Sequence, residues 1–563
     1  MTIARRISPP TALFIVAAAA SGVLLVALQS HLTFVFDDWD PLLERRAWSA
    51  HDLLRPHLDH ILLGTTVVYK AIQETIGMES LVPYAVASTS VFLLSAALLF
   101  IYIRRRVGEW LALAGVLPIL FLGTASGDLL APFQIFFFGS MACGLGALLA
   151  IEGEGSRRDL LACALLAVSF TFSELALPFV LGVAVAIGLD RGPLRRAYVV
   201  LVPLLLYALW YAGWGHTAPS ALSFHNVAHS LGYVLEGLAA GVASLLGLAT
   251  GGAVKADLGR PLLLGLMLIA ALRIRSGPPV SRWFWVSLVV LGSFWFLTAV
   301  NAMPLRPPDT SRYQYIGAVL LLLVAADLAD GLGRNGWPPV LIVIALGVAA
   351  ASVAGNLAAL HHDYVFQRDG LRLERGGLTG LEIEADHADP GFTLNGQNSG
   401  FEYFDSVVAG PYLSAVREFG SPAYSESELS DAPEGARAAA DQVMGSVLHP
   451  TLRPVSHRPP SGGPAPTLVG PPGTLAAAHG ACILVKPAGG ASPVISVPPG
   501  GVFLNAAPGK TVSLALRRFA TQSFPVSAGR LTGSAILAIP PDRSRRPWQL
   551  QLATSGVVAA CRI

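Results

Sequence analysis

Charge is scarce in this chain. Lys, Arg, Asp and Glu make up only 13% of 563 residues, about half of what a soluble protein of this length carries. That shortage excludes an ordinary water-soluble globule. With a net charge of +2, it also leaves no electrostatic case for a nucleic-acid partner. Cysteine is scarce too. There are four, with no Cys-x-x-Cys or His/Cys metal spacing, so no zinc module is encoded. Cys143 and Cys163 lie in apolar runs and read as buried thiols. No P-loop and no internal repeat of solenoid period is present.

What is abundant is apolar. Hydrophobic residues reach 53% and the mean hydropathy is +0.58, which places most of the chain in a bilayer. After Arg5 and Arg6 an apolar run from about Thr11 to Leu28 reads as a retained first helix rather than a cleaved signal. Further spans fall near 81–103, 110–123, 133–151, 197–214, 261–272, 283–300, 315–329 and 338–358. Residues 160–189, interrupted by Ser173-Glu174 and Pro178, read as a hairpin of two short helices. That folding keeps Arg157, Arg158, Arg195 and Arg196 on one side, with Arg104–Arg106, Arg191, Arg273, Arg275, Arg282 and Arg334. The stretch 228–249 reads as a re-entrant or surface-lying helix, and residues 30–80 as a long polar loop with helices on the membrane surface. The expectation is an α-helical polytopic membrane protein of about eleven spans, with the N-terminus cytoplasmic and the C-terminus outside.

The composition changes at His361. Residues 1–360 form the membrane domain, 361–460 a partly helical extracytoplasmic connection, and 461–563 a β-rich extracytoplasmic domain. Residues 436–447 predict an amphipathic helix, and 450–475, rich in Pro and Gly, a linker. Short β-branched runs at 481–485, 494–497, 511–516, 535–539 and 548–553 predict a small β-sandwich. Its ends could be stapled by Cys482 and Cys561 if the domain lies in an oxidising compartment.

Polar residues other than arginine gather at one set of span ends. Asp37, Asp38, Asp40, His57, Asp59, His60, Asp128, Gln134 and Glu174 belong to this side, as do Lys255, Arg260, Arg306, Arg312 and Tyr313. Carboxylates at membrane depth are expensive and are commonly kept for chemistry. The competing plain readings are a solvated loop for Asp37-Asp38, a helix cap for Asp128 and an interfacial anchor for Arg312 beside Tyr313. His57, Asp59 and His60 are metal-ligand types. On a helix, however, their spacing scatters them over different faces, which favours a capping or surface role.

Phe34-Val35-Phe36-Asp37-Asp38-Trp39-Asp40 follows an N-in first helix and opens a long outer loop. Together with surface helices, many further spans, a C-terminal outer domain and Arg312 in Ser-Arg-Tyr-Gln-Tyr, it resembles the GT-C superfamily of membrane glycosyltransferases. The layout covers about 1–360. Arg-Pro-His-Leu-Asp-His and Pro132-Phe133-Gln134 resemble actinobacterial members. The resemblance implies transfer of a sugar from a polyprenyl-phosphate donor to an extracytoplasmic hydroxyl of a cell-envelope glycan, lipid or protein. Asp38 or Asp37 would then be the general base, the other orienting it or binding a divalent cation such as Mg, Mn or Ca. Arg312, Arg306, Lys255 and Arg260 would grip the phosphate. A flippase of envelope lipids and a non-catalytic envelope scaffold are the alternatives. Transporters usually place polar groups at the midplane, unlike the one-sided distribution here.

Overall fold

The structure is a computed structural model. It describes residues 7–563 except 59, 154, 191–192, 219–220, 304–305, 333–335, 397–405, 458–463, 471–474, 488–491 and 522–525. Of the residues singled out above, Arg5, Arg6, Asp59, Arg191 and Arg334 lie outside the described residues. The chain forms two compact units, Met1–Gln367 and Arg368–Ile563.

The first unit is helical: α1 Pro9–Gln29, α2 Ala50–Leu54, α3 Leu63–Thr75, α4 Val82–Val107, α5 Glu109–Leu120, α6 Ser126–Leu129, α7 Ile135–Ile151, α8 Ser156–Phe172, α9 Ala176–Gly188, α10 Tyr198–Gly213, α11 Phe224–Leu245, α12 Ala256–Ser276, α13 Arg282–Val300, α14 Ser311–Ala329 and the first part of α15 Pro339–Ile383, whose last residues belong to the second unit. Among the described residues six helices are long and apolar enough to cross a bilayer. These are α1, α4, Pro132–Ile151, α13, α14 and α15, with a seventh if α5 and Gly123–Leu129, bent by 43°, make one span. About eleven are expected from the sequence. The difference lies in α8, α9, α10 and α12, which are short or carry charges near their ends. On α10, Leu201, Leu205 and Leu209 are exposed one turn apart, an apolar stripe suited to lipid rather than water.

The turn at Ser173-Glu174 is present. Asp159 near the start of α8 and Asp190 just past α9 both bind Arg196, so the two helices run back along each other. Their packing on α7 depends on two small residues. A Cβ at Gly139 would run into Phe172 at 2.7 Å, and one at Gly144 would run into Phe179. Both rings therefore seat directly on the α7 backbone. At the arginine-bearing end of the bundle Arg105 and Arg106 bind Glu152, and Arg106 also binds Asp327.

Helix α11 packs among α12, α13 and α14. Asn226 near its start donates to Val300 O and Ala302 O, and Ser244 at its far end donates to Gln314. Both ends thus meet the same end of α13 and α14, so α11 lies across the bundle rather than along it. The composition change at His361 does not break α15. Helical spacing continues through buried Leu371, Leu378 and Leu381.

The second unit packs helices Ala409–Phe419, Glu426–Asp431 and Glu434–Leu448 with two antiparallel sheets. One sheet runs Thr451–Pro454, Ser534–Ile539, Gly500–Ala506, Val558–Cys561, Cys482–Lys486, Leu475–His479. The other runs Val526–Thr532, Thr511–Arg517, Trp548–Ala553, Val494–Val497, Thr467–Gly470. Alternation along Thr511–Arg517 turns Val512, Leu514 and Leu516 inward, where they meet Val502, Leu504 and Leu537 of the other sheet and Ala440 and Met444 of the helix. Asp441 fixes that helix by accepting from the backbone N–H groups of Arg518, Phe519 and Ala520. Cys482 and Cys561, directly opposite on neighbouring strands, form a disulfide. The predicted linker 450–475 needs correction, because it supplies an edge strand to each sheet. Pro454, at the end of the first of these, is tolerated there since an edge strand leaves one row of N–H groups unpaired.

Candidate active site

The site starts from two backbone positions that side chains rarely adopt. Phe36 has φ +49° and Leu58 φ +52°, each costing on the order of 1 kcal/mol. Phe36 reverses the chain after α1, so that Asp37 and Asp38 enter a short 3-10 turn. Leu58 sits in a tight turn in which His57 and His60 exchange both backbone hydrogen bonds at 2.9 Å. The helical geometry expected for these histidines is therefore replaced by a turn, and this changes where they point.

His57 bridges two carboxylates. Its Nε2 lies 3.0 Å from Asp37 Oδ1 and its Nδ1 3.4 Å from Asp40 Oδ2. Burial lowers the basicity of the ring, but hydrogen bonds to Asp37 and Asp40, and their charges, raise its pKa to about 9. It is an imidazolium at neutral pH. Asp40 is further held by Arg45 at 2.5 Å and Arg55 at 3.0 Å, and Arg45 is fully buried. Burial pushes the Asp37 carboxyl up, but His57, Arg312 and His60 outweigh it and hold Asp37 below the usual carboxylate range. His60 turns the other way. Its Nδ1 is 2.7 Å from Glu174 Oε2, while Glu174 Oε1 accepts from Ile61 N–H at 2.9 Å.

Of these groups His60 and Glu174 line a cavity of about 340 Å³ together with Arg306, Arg312 and Tyr313, whereas Asp37, Asp40 and His57 are not in its lining. Tyr207, Trp210 and Tyr211 form an aromatic wall, and Leu175, Pro178, Phe294 and Leu297 an apolar one. Trp210 is fixed by donating Nε1–H to Leu54 O at 2.7 Å. Behind Arg312 sits Asp128, fully buried, whose two carboxylate oxygens have no hydrogen-bond partner among the described residues. Arg312 is the cation whose field reaches both Asp128 and Asp37.

The other sequence candidates lie elsewhere. Asp38 is 1% exposed, and its carboxylate accepts from Tyr69 OH at 2.5 Å and Val35 N–H at 3.0 Å. The two adjacent aspartates therefore serve different partners and are not arranged as a joint metal-ligand pair. Among the described residues no three His, Cys, Asp or Glu side chains are grouped to hold a metal ion. Arg260 is paired with Glu236 and Asp257 and is exposed. Lys255 heads α12 and, like Arg260, is absent from the cavity lining. Gln134 is buried beside Phe133, on which His57 rests at 5.6 Å. Sequence reasoning misses Arg45 and Tyr69, whose importance comes from burial. It also misses Trp210 and Tyr211 as cavity walls, since an aromatic belt leaves the same signature.

No known family's sequence profile matches the chain, and no curated protein matches it. Among solved structures, the chain is similar to ArnT from Cupriavidus metallidurans bound to undecaprenyl phosphate. The identity is 12%, the alignment covers 73% of this chain and 85% of that one, and the TM-score is 0.43.

Proposed function

We propose that the protein is a membrane glycosyltransferase that takes a sugar from a polyprenyl-phosphate donor and passes it to an acceptor hydroxyl on the extracytoplasmic side. The observation that carries this reading is the cavity that joins Arg306 and Arg312 to Glu174 and His60, with Asp37 outside its lining but within the field of Arg312 and His60. Two guanidiniums offer the fork geometry that phosphate oxygens accept. Asp128, fully buried and without a hydrogen-bond partner among the described residues, lies within reach of the charge of Arg312. The apolar wall of Leu175, Pro178, Phe294 and Leu297 suits a prenyl chain, and the aromatic wall suits the faces of a sugar.

In this reaction the bond between the anomeric carbon and the phosphate oxygen breaks, and its electron pair leaves on the phosphate. Arg306 and Arg312 stabilise that charge as it develops. The acceptor oxygen bonds to the anomeric carbon and gives up its proton. Asp37 is assigned as the proton acceptor, with His57 holding its carboxylate in one orientation. Asp38, walled in by Tyr69 and Val35, becomes a structural residue that shapes the turn. Glu174 is the alternative acceptor, because it lines the cavity directly and is oriented by His60 and the Ile61 amide.

Incubating the purified protein with a panel of polyprenyl-phosphate sugars and measuring the freed lipid phosphate tests the reading. Loss in Asp37→Asn with Glu174→Gln still active assigns the base to Asp37, and the reverse assigns it to Glu174. Full turnover in Arg312→Ala would remove the phosphate-binding role and with it the proposal.

A further inference from the structure

A second cavity lies at the other end of the bundle. It has a volume of about 450 Å³ and is built where α4, α7 and α8 meet. Leu94 and Leu98 from α4 and Leu161 and Leu165 from α8 form its sides, and Cys143 and Gly146 from α7 its floor. Leu94 and Leu161 are exposed, so the groove opens sideways from the bundle. Arg105 and Arg158 close one end. Arg105 pairs with Glu152 yet remains half exposed, at 49%. Arg158 is exposed and has no ion-pair partner among the described residues. From Arg158 to Ser173 along α8 is about 22 Å at 1.5 Å per residue, so this groove is separate from the cavity that holds Glu174.

We propose that this groove binds one anionic diacyl lipid from the adjoining leaflet, its phosphate on Arg105 and Arg158 and an acyl chain along the leucines. Length supports that occupant. From Arg105 to Leu94 the groove follows α4 for about 16 Å, close to half of the roughly 30 Å hydrocarbon core, which is the depth one leaflet's chains reach. Charge supports it as well, since two guanidiniums at the mouth of an apolar trough match a phosphate head above a hydrocarbon tail. A free phosphate would leave the leucine walls without a partner. The inference does not depend on the sugar-transfer reading, because no group of that cavity takes part.

Native mass spectrometry of the full chain, released from micelles doped with phosphatidylglycerol or phosphatidylcholine, tests this. Wild type is expected to retain one phosphatidylglycerol under conditions that strip phosphatidylcholine. Arg158→Ala is expected to weaken phosphatidylglycerol retention about fivefold and Arg105→Ala/Arg158→Ala on the order of tenfold or more, whereas Arg157→Ala, at the same end but outside the groove, retains it. Cys143→Phe fills the floor and is expected to displace the lipid with both arginines intact, which gives a readout if the double variant folds poorly. Equal retention in Arg158→Ala, Cys143→Phe and wild type overturns the proposal. So does displacement of the lipid by inorganic phosphate alone, which would leave a simple anion site.

Discussion

Replacing His57 with Gln tests the arrangement on which the site is built. The ring stands between Asp37 and Asp40, and its pKa rises from an ordinary 6.5 to about 9 because those carboxylates favour the charged form over the cost of burial. At about 1.4 kcal/mol per pH unit, the ring contributes on the order of 3 kcal/mol to stability while it stays protonated. It is only 16% exposed, so solvent screening removes little of this. The sign follows from a folded-state pKa raised above the unfolded one. The contribution is complete below pH 6.5 and drains away as pH climbs through about 9. Melts of wild type and His57→Gln, followed by tryptophan fluorescence from pH 6 to 9.5, should therefore differ by a few degrees at the acid end and converge at the alkaline end. A gap that stays constant across that range would mean that His57 is not the charged bridge, and that Asp37 is held by something else.

Asp38→Asn should lower stability by about 1–3 kcal/mol through the Tyr69 and Val35 bonds, and Tyr69→Phe should reproduce most of the loss. Retained sugar transfer in folded Asp38→Asn, against its loss in Asp37→Asn, is the expected contrast, and equal loss in both would contradict it. Reducing the Cys482–Cys561 bridge, which spans 79 residues, should destabilise the second unit by about 4 kcal/mol; an unchanged melt in dithiothreitol would exclude that role. Gly123→Ala brings a Cβ into Asn356 O and to 2.5 Å from Leu360 N, so a loss of about 1–3 kcal/mol is expected, read as reduced yield and melting temperature.

Six or seven of the spans, the arginine-rich end and most strands were legible because each rests on local pattern: run length, charge at run ends, alternation. Asp37 beside a bundle end was legible on the same basis. The linker was misread because Pro and Gly punctuate edge strands as readily as loops, and only pairing with Val494–Val497 and Ser534–Ile539 distinguishes them. The division of labour between Asp37 and Asp38 could not be read from adjacent letters. It is decided by Tyr69, thirty-one residues away, and by a left-handed Phe36 that turns the two carboxylates apart. The histidines show the same principle. Spacing alone scattered them, whereas a left-handed Leu58 closes a turn that sets His57 on Asp37 and His60 on Glu174. Both strained positions are apolar residues with exposed side chains, so neither is explained by packing its own side chain. Strain that gains no burial persists only where neighbouring contacts enforce it. Here those contacts are the two carboxylate–histidine pairs, and the chemistry proposed for the cavity is what would give such a costly backbone a reason to be kept.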